Sequence, residues 1–140
     1  MRKLFASDKV YISQSRITNA GRGVFAEVKI KKGGIIESCP VLILPRKDYS
    51  ILRKTELRNY YFMWGKNIAA ICLGYGSLYN HSYEPNATYK KKLEEKVIDF
   101  IALKDIKKDE EITVNYNYGN PKNKTPLWIK DIPLPARSVC

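Results

Sequence analysis

The apolar residues of this chain come in short runs, and that constrains its fold more than any other feature. Val10-Tyr11-Ile12, Gly23-Val24-Phe25-Ala26, Ile35-Ile36, Val41-Leu42-Ile43-Leu44, Ile68-Ala69-Ala70-Ile71-Cys72-Leu73, Val97-Ile98-Asp99-Phe100-Ile101-Ala102-Leu103 and Ile112-Thr113-Val114 are separated by Gly, Pro, Asn and charged residues. Runs of this length, rich in β-branched and aromatic side chains, suit strands and are too short to give a long helix its apolar stripe. One segment departs from the pattern. After Pro45 and up to about Arg58, Tyr49, Leu52 and Glu56 fall at helical spacing beside Ile51 and Leu57, which predicts a single helix there. The expectation is therefore a mainly β domain of short strands with irregular connections. The 140 residues fit one such domain.

Two segments echo each other. Ile30-Lys31-Lys32-Gly33-Gly34-Ile35-Ile36-Glu37 resembles Ile106-Lys107-Lys108-Asp109-Glu110-Glu111-Ile112-Thr113. Each reads as a strand end, a tight polar turn and the next strand, and Gly and Asp suit turns because they tolerate unusual backbone angles. A single pair is too few for a solenoid. From Gly119 onward the chain changes character. Pro121, Pro126, Pro133 and Pro135 argue against regular structure, yet Leu127, Trp128, Ile129, Ile132 and Leu134 are bulkier than a disordered tail usually carries. The division expected is a domain over residues 1–118 and a tail over 119–140 that folds back across it.

Charge and cysteine content narrow the function. The net charge of +11 favours anionic partners, nucleic acid or acidic protein surfaces, although scattered lysine pairs and one triplet, Lys90-Lys91-Lys92, also suit a plain solvated surface. No aromatic-interleaved RNA motif accompanies them. Cys39, Cys72 and Cys140 lie far apart with no C-x-x-C pair, which speaks against a disulfide framework and a structural zinc site. His81 is the only histidine, so multi-histidine metal sites are excluded and no metal is expected. No apolar run reaches the roughly 18 residues of a membrane span, and the charged start has too short an apolar stretch for a signal peptide. The expected setting is intracellular, cytoplasmic or nucleoid-associated, with secretion as an effector left open.

Three motifs carry chemistry. Gly21-Arg22-Gly23-Val24-Phe25 allows a tight turn and close backbone approach to a ligand, but lacks the third glycine and following helix of a dinucleotide-binding loop. Asn80-His81-Ser82-Tyr83-Glu84-Pro85-Asn86, after Gly74-Tyr75-Gly76-Ser77-Leu78-Tyr79, is dense in groups that turn the chain and bind ligands. Glu110-Glu111-Ile112-Thr113-Val114-Asn115-Tyr116 reads as a turn and strand ending in one of ten tyrosines. Each alone is also compatible with a purely structural role.

Together and in this order, the G-R-G-V-F, N-H-S-Y-E-P-N and E-E-I-T-V-N-Y strings resemble the SET-domain lysine methyltransferases, over about residues 9–118. With Tyr60-Tyr61-Phe62 and Gly74-Tyr75-Gly76 upstream, the chain is similar to the minimal bacterial and viral members. The resemblance implies a fold of small curved β-sheets with a pseudoknot and few short helices. It implies a catalytic domain over 1–118 that methylates lysine side chains of a protein substrate using S-adenosylmethionine. By the same resemblance, Arg22, Gly23 and Val24 would line the methionine part of the cofactor. Asn80 would bond its amino-acid end, and His81 would meet the adenine through its main chain. Tyr116 would be the catalytic tyrosine. Tyr60 would line the lysine channel, with Phe100 and Ile101 at channel or switch positions and Trp128 of the tail covering the site. Many chromatin-acting members carry a cysteine-rich zinc segment after the catalytic tyrosine; with only Cys140 there, none is expected here, and Trp128 with Leu127 and Ile129 would cover the site instead. Asp109 replaces the usual glycine of its turn, and Arg22 stands where a viral relative has an aromatic. A homodimer is compatible with the minimal members, and no membrane partner is expected.

The chemistry suits such residues. A lysine amine ordinarily titrates near 10.4 and must be neutral to attack a sulfonium methyl. Desolvation in an aromatic channel and a nearby positive charge both favour the neutral form, and alignment contributes several kcal/mol to lowering the barrier. Two other readings compete: a catalytically inactive SET-like module binding protein or nucleic acid, and a small basic nucleic-acid-binding β-domain. The second explains the charge but not the later motifs. The basic surface would repel a basic histone tail, so it points to an acidic or mixed-charge substrate, or to nucleic-acid association.

Overall fold

The computed structural model describes residues 1–117 and 120–124. Its strands are β1 (Val10–Gln14), β2 (Arg22–Ala26), β3 (Ile35–Ile43), β4 (Phe62–Gly65), β5 (Ile68–Cys72), β6 (Asn80–His81), β7 (Ala87–Lys92), β8 (Val97–Ala102) and β9 (Glu111–Val114). They form a four-stranded sheet ordered β1-β2-β9-β6 and a five-stranded sheet ordered β4-β5-β3-β8-β7. The mainly β expectation holds, in two small curled sheets.

The curl has a local cause. Ile35-Ile36 and Val41–Leu44, read in the sequence as separate strands, belong largely to the single nine-residue β3. Its first half pairs with β8, from Ile35↔Ile101 to Pro40↔Val97, and its second half with β5, from Val41↔Cys72. Pro40 has no N–H to offer a ladder, and it falls where the strand passes from one partner to the other. A bulge between Ile35 and Glu37 adds to the bend.

The single helix expected over about 46–58 is broken into one α-helical turn, α1 (Tyr49–Leu52), between two 3-10 turns, Arg46–Asp48 and Glu56–Asn59. Thr55 breaks it. Its hydroxyl donates to Leu52 O at 2.7 Å and accepts from Leu57 N at 3.2 Å, replacing helical backbone bonds with side-chain ones. β4 lies in the aromatic run Tyr60-Tyr61-Phe62-Met63-Trp64, which the strand expectation left out, whereas β6 and β7 had no apolar run to announce them. β7 in particular ends in the lysine triplet, and its pairing along all of β8 makes it a strand.

The two echoing segments meet in space. Ile30 and Ile106 form a bridge, with N–H to O distances of 2.9 and 2.7 Å in the two directions. The fourth residue of each echo, Gly33 at φ 84° and Asp109 at φ 66°, occupies the left-handed region that a tight turn needs. Beneath both sheets lies one core, in which Tyr79 stacks on Phe100 at 4.4 Å among Ile36, Ile98, Ile106, Ile112 and Val114.

Candidate active site

β9 joins the three motifs. On one side it pairs with β2, Val24 opposite Ile112 and Phe25 opposite Glu111. On the other it runs parallel to β6, Asn80 opposite Thr113 and His81 opposite Val114. So Arg22, Gly23 and Val24 on β2 and Asn80 and His81 on β6 flank β9 from its two sides, with Tyr116 just beyond the end of β9. Strand β6 is only two residues long, and side-chain bonds finish what its ladder cannot. Asn86 Oδ1 accepts from Thr113 N at 2.9 Å, and Asn86 Nδ2 donates to Glu111 O at 2.8 Å.

Glu111, which the sequence reading quoted but gave no role, ties the cluster together. Its Oε1 accepts from Ser15 Oγ at 2.7 Å and from Asn80 Nδ2 at 3.0 Å, and its Oε2 accepts from Arg16 N at 3.0 Å. Asn80 Nδ2 also donates to Arg22 O at 2.9 Å. A Cβ at position 23 would come within 2.3 Å of Glu111 Oε1 and 3.0 Å of Asn80 Nδ2, so Gly23 is required by the closeness of this bonded pair. Alongside runs an open polar groove of about 610 Å³, bordered by Ser15, Arg16, Asn19, Gly21 and Arg22. Its surroundings hold both the Glu111 carboxylate and the Arg16 and Arg22 cations, the pair of signs that an amino-acid zwitterion requires. The donor set therefore fits the methionine end of S-adenosylmethionine.

A second cavity, of about 380 Å³, is bordered by Tyr116. Tyr60, Tyr79, Tyr89, Phe62, Val114 and Tyr116 form much of its wall. Tyr116 is fixed at both ends. Its N–H donates to His81 Nδ1 at 3.0 Å, and its hydroxyl donates to Tyr79 O at 2.5 Å. Tyr79 is itself buried, with its hydroxyl donating to Glu37 Oε1 at 2.9 Å. Burial, reinforced by the Glu37 charge, pushes the Tyr79 phenol well above its ordinary value, so it stays a neutral donor. Lys91 reaches into the same wall, its Nζ donating to Met63 O at 2.5 Å, and burial lowers its ammonium below the usual lysine range.

Tyr60 and Tyr116 thus share the cavity. Phe100 does not line it. The ring is fully buried and lies behind the wall, stacked on Tyr79. Ile101, half-buried on β8 opposite Ile35 and Thr88, is not among the lining residues either. Position 100 alternates onto the core side of β8, so Phe100 packs inside rather than facing the cavity. Trp128 and most of the tail lie outside the described residues. Sequence reasoning missed Tyr79 and Tyr89 as wall residues. The adjacency of Tyr79 to Asn80 was the available signal for the first, and the alternation along β7 was the signal for the second.

A family model described as the SET domain matches residues 21–117. The H3 lysine-37-specific histone-lysine N-methyltransferase of Schizosaccharomyces pombe is 33% identical over 79% of this chain and 71% of its own length. Among solved structures, a candidate histone methyltransferase of Plasmodium falciparum is 35% identical, with a TM-score of 0.59 over 78% of this chain and 97% of that one. The autoinhibited Polycomb Repressive Complex 2 of Chaetomium thermophilum, bound to S-adenosylmethionine, is 23% identical with a TM-score of 0.65 over 83% of this chain and 16% of that one, a likeness of fold. With the three motifs gathered around β9 and the family model spanning them, this chain belongs to the SET-domain family of protein-lysine methyltransferases.

Proposed function

We propose that the protein transfers a methyl group from S-adenosylmethionine to a lysine side chain of a protein substrate, with Tyr116 as the catalytic residue. The observation that carries this reading is the position of Tyr116. Its backbone is bonded to His81 in the cluster that fits the cofactor, while its ring walls the aromatic cavity that suits a lysine. Arg22, Gly23, Val24, Asn80 and His81 would hold the cofactor, which when bound supplies an electrophilic methyl on a sulfonium.

The chain's own residues do the rest. Aromatic walls strip water from the entering amine, which disfavours its charged form. No carboxylate is present among the described residues of the wall to stabilise an ammonium. Arg53, Arg58 and Lys91 on that wall add positive charge, which disfavours protonation further. The Tyr116 oxygen, having donated its proton to Tyr79 O, serves as an acceptor that orients an amine N–H. Tyr60, buried and held through its carbonyl by Ser77 Oγ at 3.2 Å, sets the channel's opposite side. The tail would close over the site. The return of Asn123 to Asn115, whose Nδ2 donates to Asn123 O at 2.6 Å, and of Lys124 to Glu84 at 3.0 Å supports that reading.

Calorimetric titration of S-adenosylmethionine into the protein and into Asn80→Ala tests the cofactor site directly. Saturable binding near one per chain is expected, at least tenfold weaker in the variant because the bond to Arg22 O is lost. Thermal denaturation of the variant separates this from unfolding. Absence of binding to the folded natural chain would overturn the reading.

A further inference from the structure

The tyrosine-walled cavity is charged with one sign. Arg53 follows α1, Arg58 lies in the 3-10 turn Glu56–Asn59, and Lys91 lies in β7, so three separate elements bring cations to one wall. No aspartate or glutamate is found among the described residues that line it. Arg53 and Arg58 are exposed. Among the described residues neither takes part in an ion pair, and Arg53 instead lies over the Tyr49 ring at 5.7 Å. Glu56, the acid closest to them in sequence, accepts a bond from Asn59 Nδ2 at 3.0 Å.

We infer that the substrate lysine is flanked by acidic side chains, and that Arg53 and Arg58 select it. This inference rests on the methyltransferase reading for the identity of the cavity. A basic stretch would bring like charges against the rim, which costs both encounter rate and affinity. Carboxylates beside the lysine would meet guanidinium forks that match them geometrically. The central lysine enters neutral, so its own charge does not offset that preference. The surplus of positive charge over the whole chain, +11, acts in the same direction at longer range.

The test uses labelled peptides that differ only in whether glutamates, glutamines or lysines flank a central lysine, with binding read by fluorescence anisotropy at low and high salt. The acidic peptide should bind about tenfold more tightly than the basic one, since a few rim pairs of ordinary strength sum to that ratio. The gap should narrow as salt screens it. Arg53→Glu/Arg58→Glu should reverse the order, and Arg53→Gln/Arg58→Gln should flatten it, which guards against a misfolded reversal. Equal affinities, a basic preference in the natural chain, or an order unchanged in both variants overturn the inference. Mass spectrometry of the same peptides with S-adenosylmethionine separates the two readings. Acid-selective binding with no methyl gained by any peptide overturns the enzyme reading alone. Methylation that favours the basic peptide overturns the charge preference alone.

Discussion

Tyr116 has little freedom to turn. With its amide held by His81 and its hydroxyl by the Tyr79 carbonyl, the ring is oriented before any substrate arrives. Preorganised groups of this kind lower a barrier because they need not reorient as charge shifts. Tyr116→Phe keeps the ring and the amide bond but loses the acceptor, so kcat should fall by roughly 10²-fold or more while cofactor binding stays within a factor of about two. Single-turnover methylation set beside calorimetry checks this, and unimpaired turnover would remove the role assigned to the hydroxyl. The glycine at position 23 and the carboxylate at 111 belong to the same scale. A side chain on one would displace the other, so the motif's glycine reflects the space its neighbours occupy.

At the scale of elements, the site depends on a short parallel contact between β6 and β9, two residue pairs long. Two strand residues cannot make a stable ladder alone, and Asn86 supplies a side chain that behaves like a strand edge. Asn86→Ala would leave a buried N–H at Thr113 and the Glu111 carbonyl without those bonds. An unsatisfied buried group costs about 1–3 kcal/mol, so the melting temperature should drop by several degrees, roughly 2–8 °C. Asn86→Asp would keep the acceptor but set a buried carboxylate against the Glu111 carbonyl and the Glu110 carboxylate, so it should melt no higher than Asn86→Ala. A melting temperature equal to that of the natural chain in Asn86→Ala would show that β6 is held by other means.

At the scale of the molecule, the N-terminal segment is pinned to the far sheet by charge. Arg2 donates to Asp99 at 3.0 and 3.3 Å and pairs with Glu95 at 3.0 Å, while Ser38 Oγ donates to Asp99 at 2.6 Å. Burial alone would raise the Asp99 carboxyl, but Arg2, Ser38 and Lys92 together hold it below its ordinary value of 3.8. A carboxyl depressed in the folded state contributes stability above its unfolded value, and that contribution is lost as pH falls from about 3.8 through the lower folded value. Arg2→Ala removes the main lowering influence and leaves burial, so acid unfolding should begin at higher pH. Circular dichroism across an acid titration reads the shift, and coincident transitions would mean that Arg2 does not govern Asp99.

The sequence by itself determined what local chemistry can carry. Strand-length apolar runs announced a mainly β chain, and the ordered G-R-G-V-F, N-H-S-Y-E-P-N and E-E-I-T-V-N-Y strings announced the family, because turn residues and ligand-facing amides must stand at set intervals along the chain. The echo around Ile30 and Ile106 was visible as a repeat, but that its halves bridge each other was not. Long-range pairing decided the rest. β7 is a strand because β8 lies beside it, although its lysines read as surface. The span after Pro45 is not a single helix because Thr55 offers its own bonds to the backbone. Phe100 points into the core because the pleat of β8, fixed by β3 and β7, leaves it no other side. Tyr79, Tyr89 and the cations of the cavity come from segments far apart in the chain, and only their assembly around β9 and β7 makes a site of them.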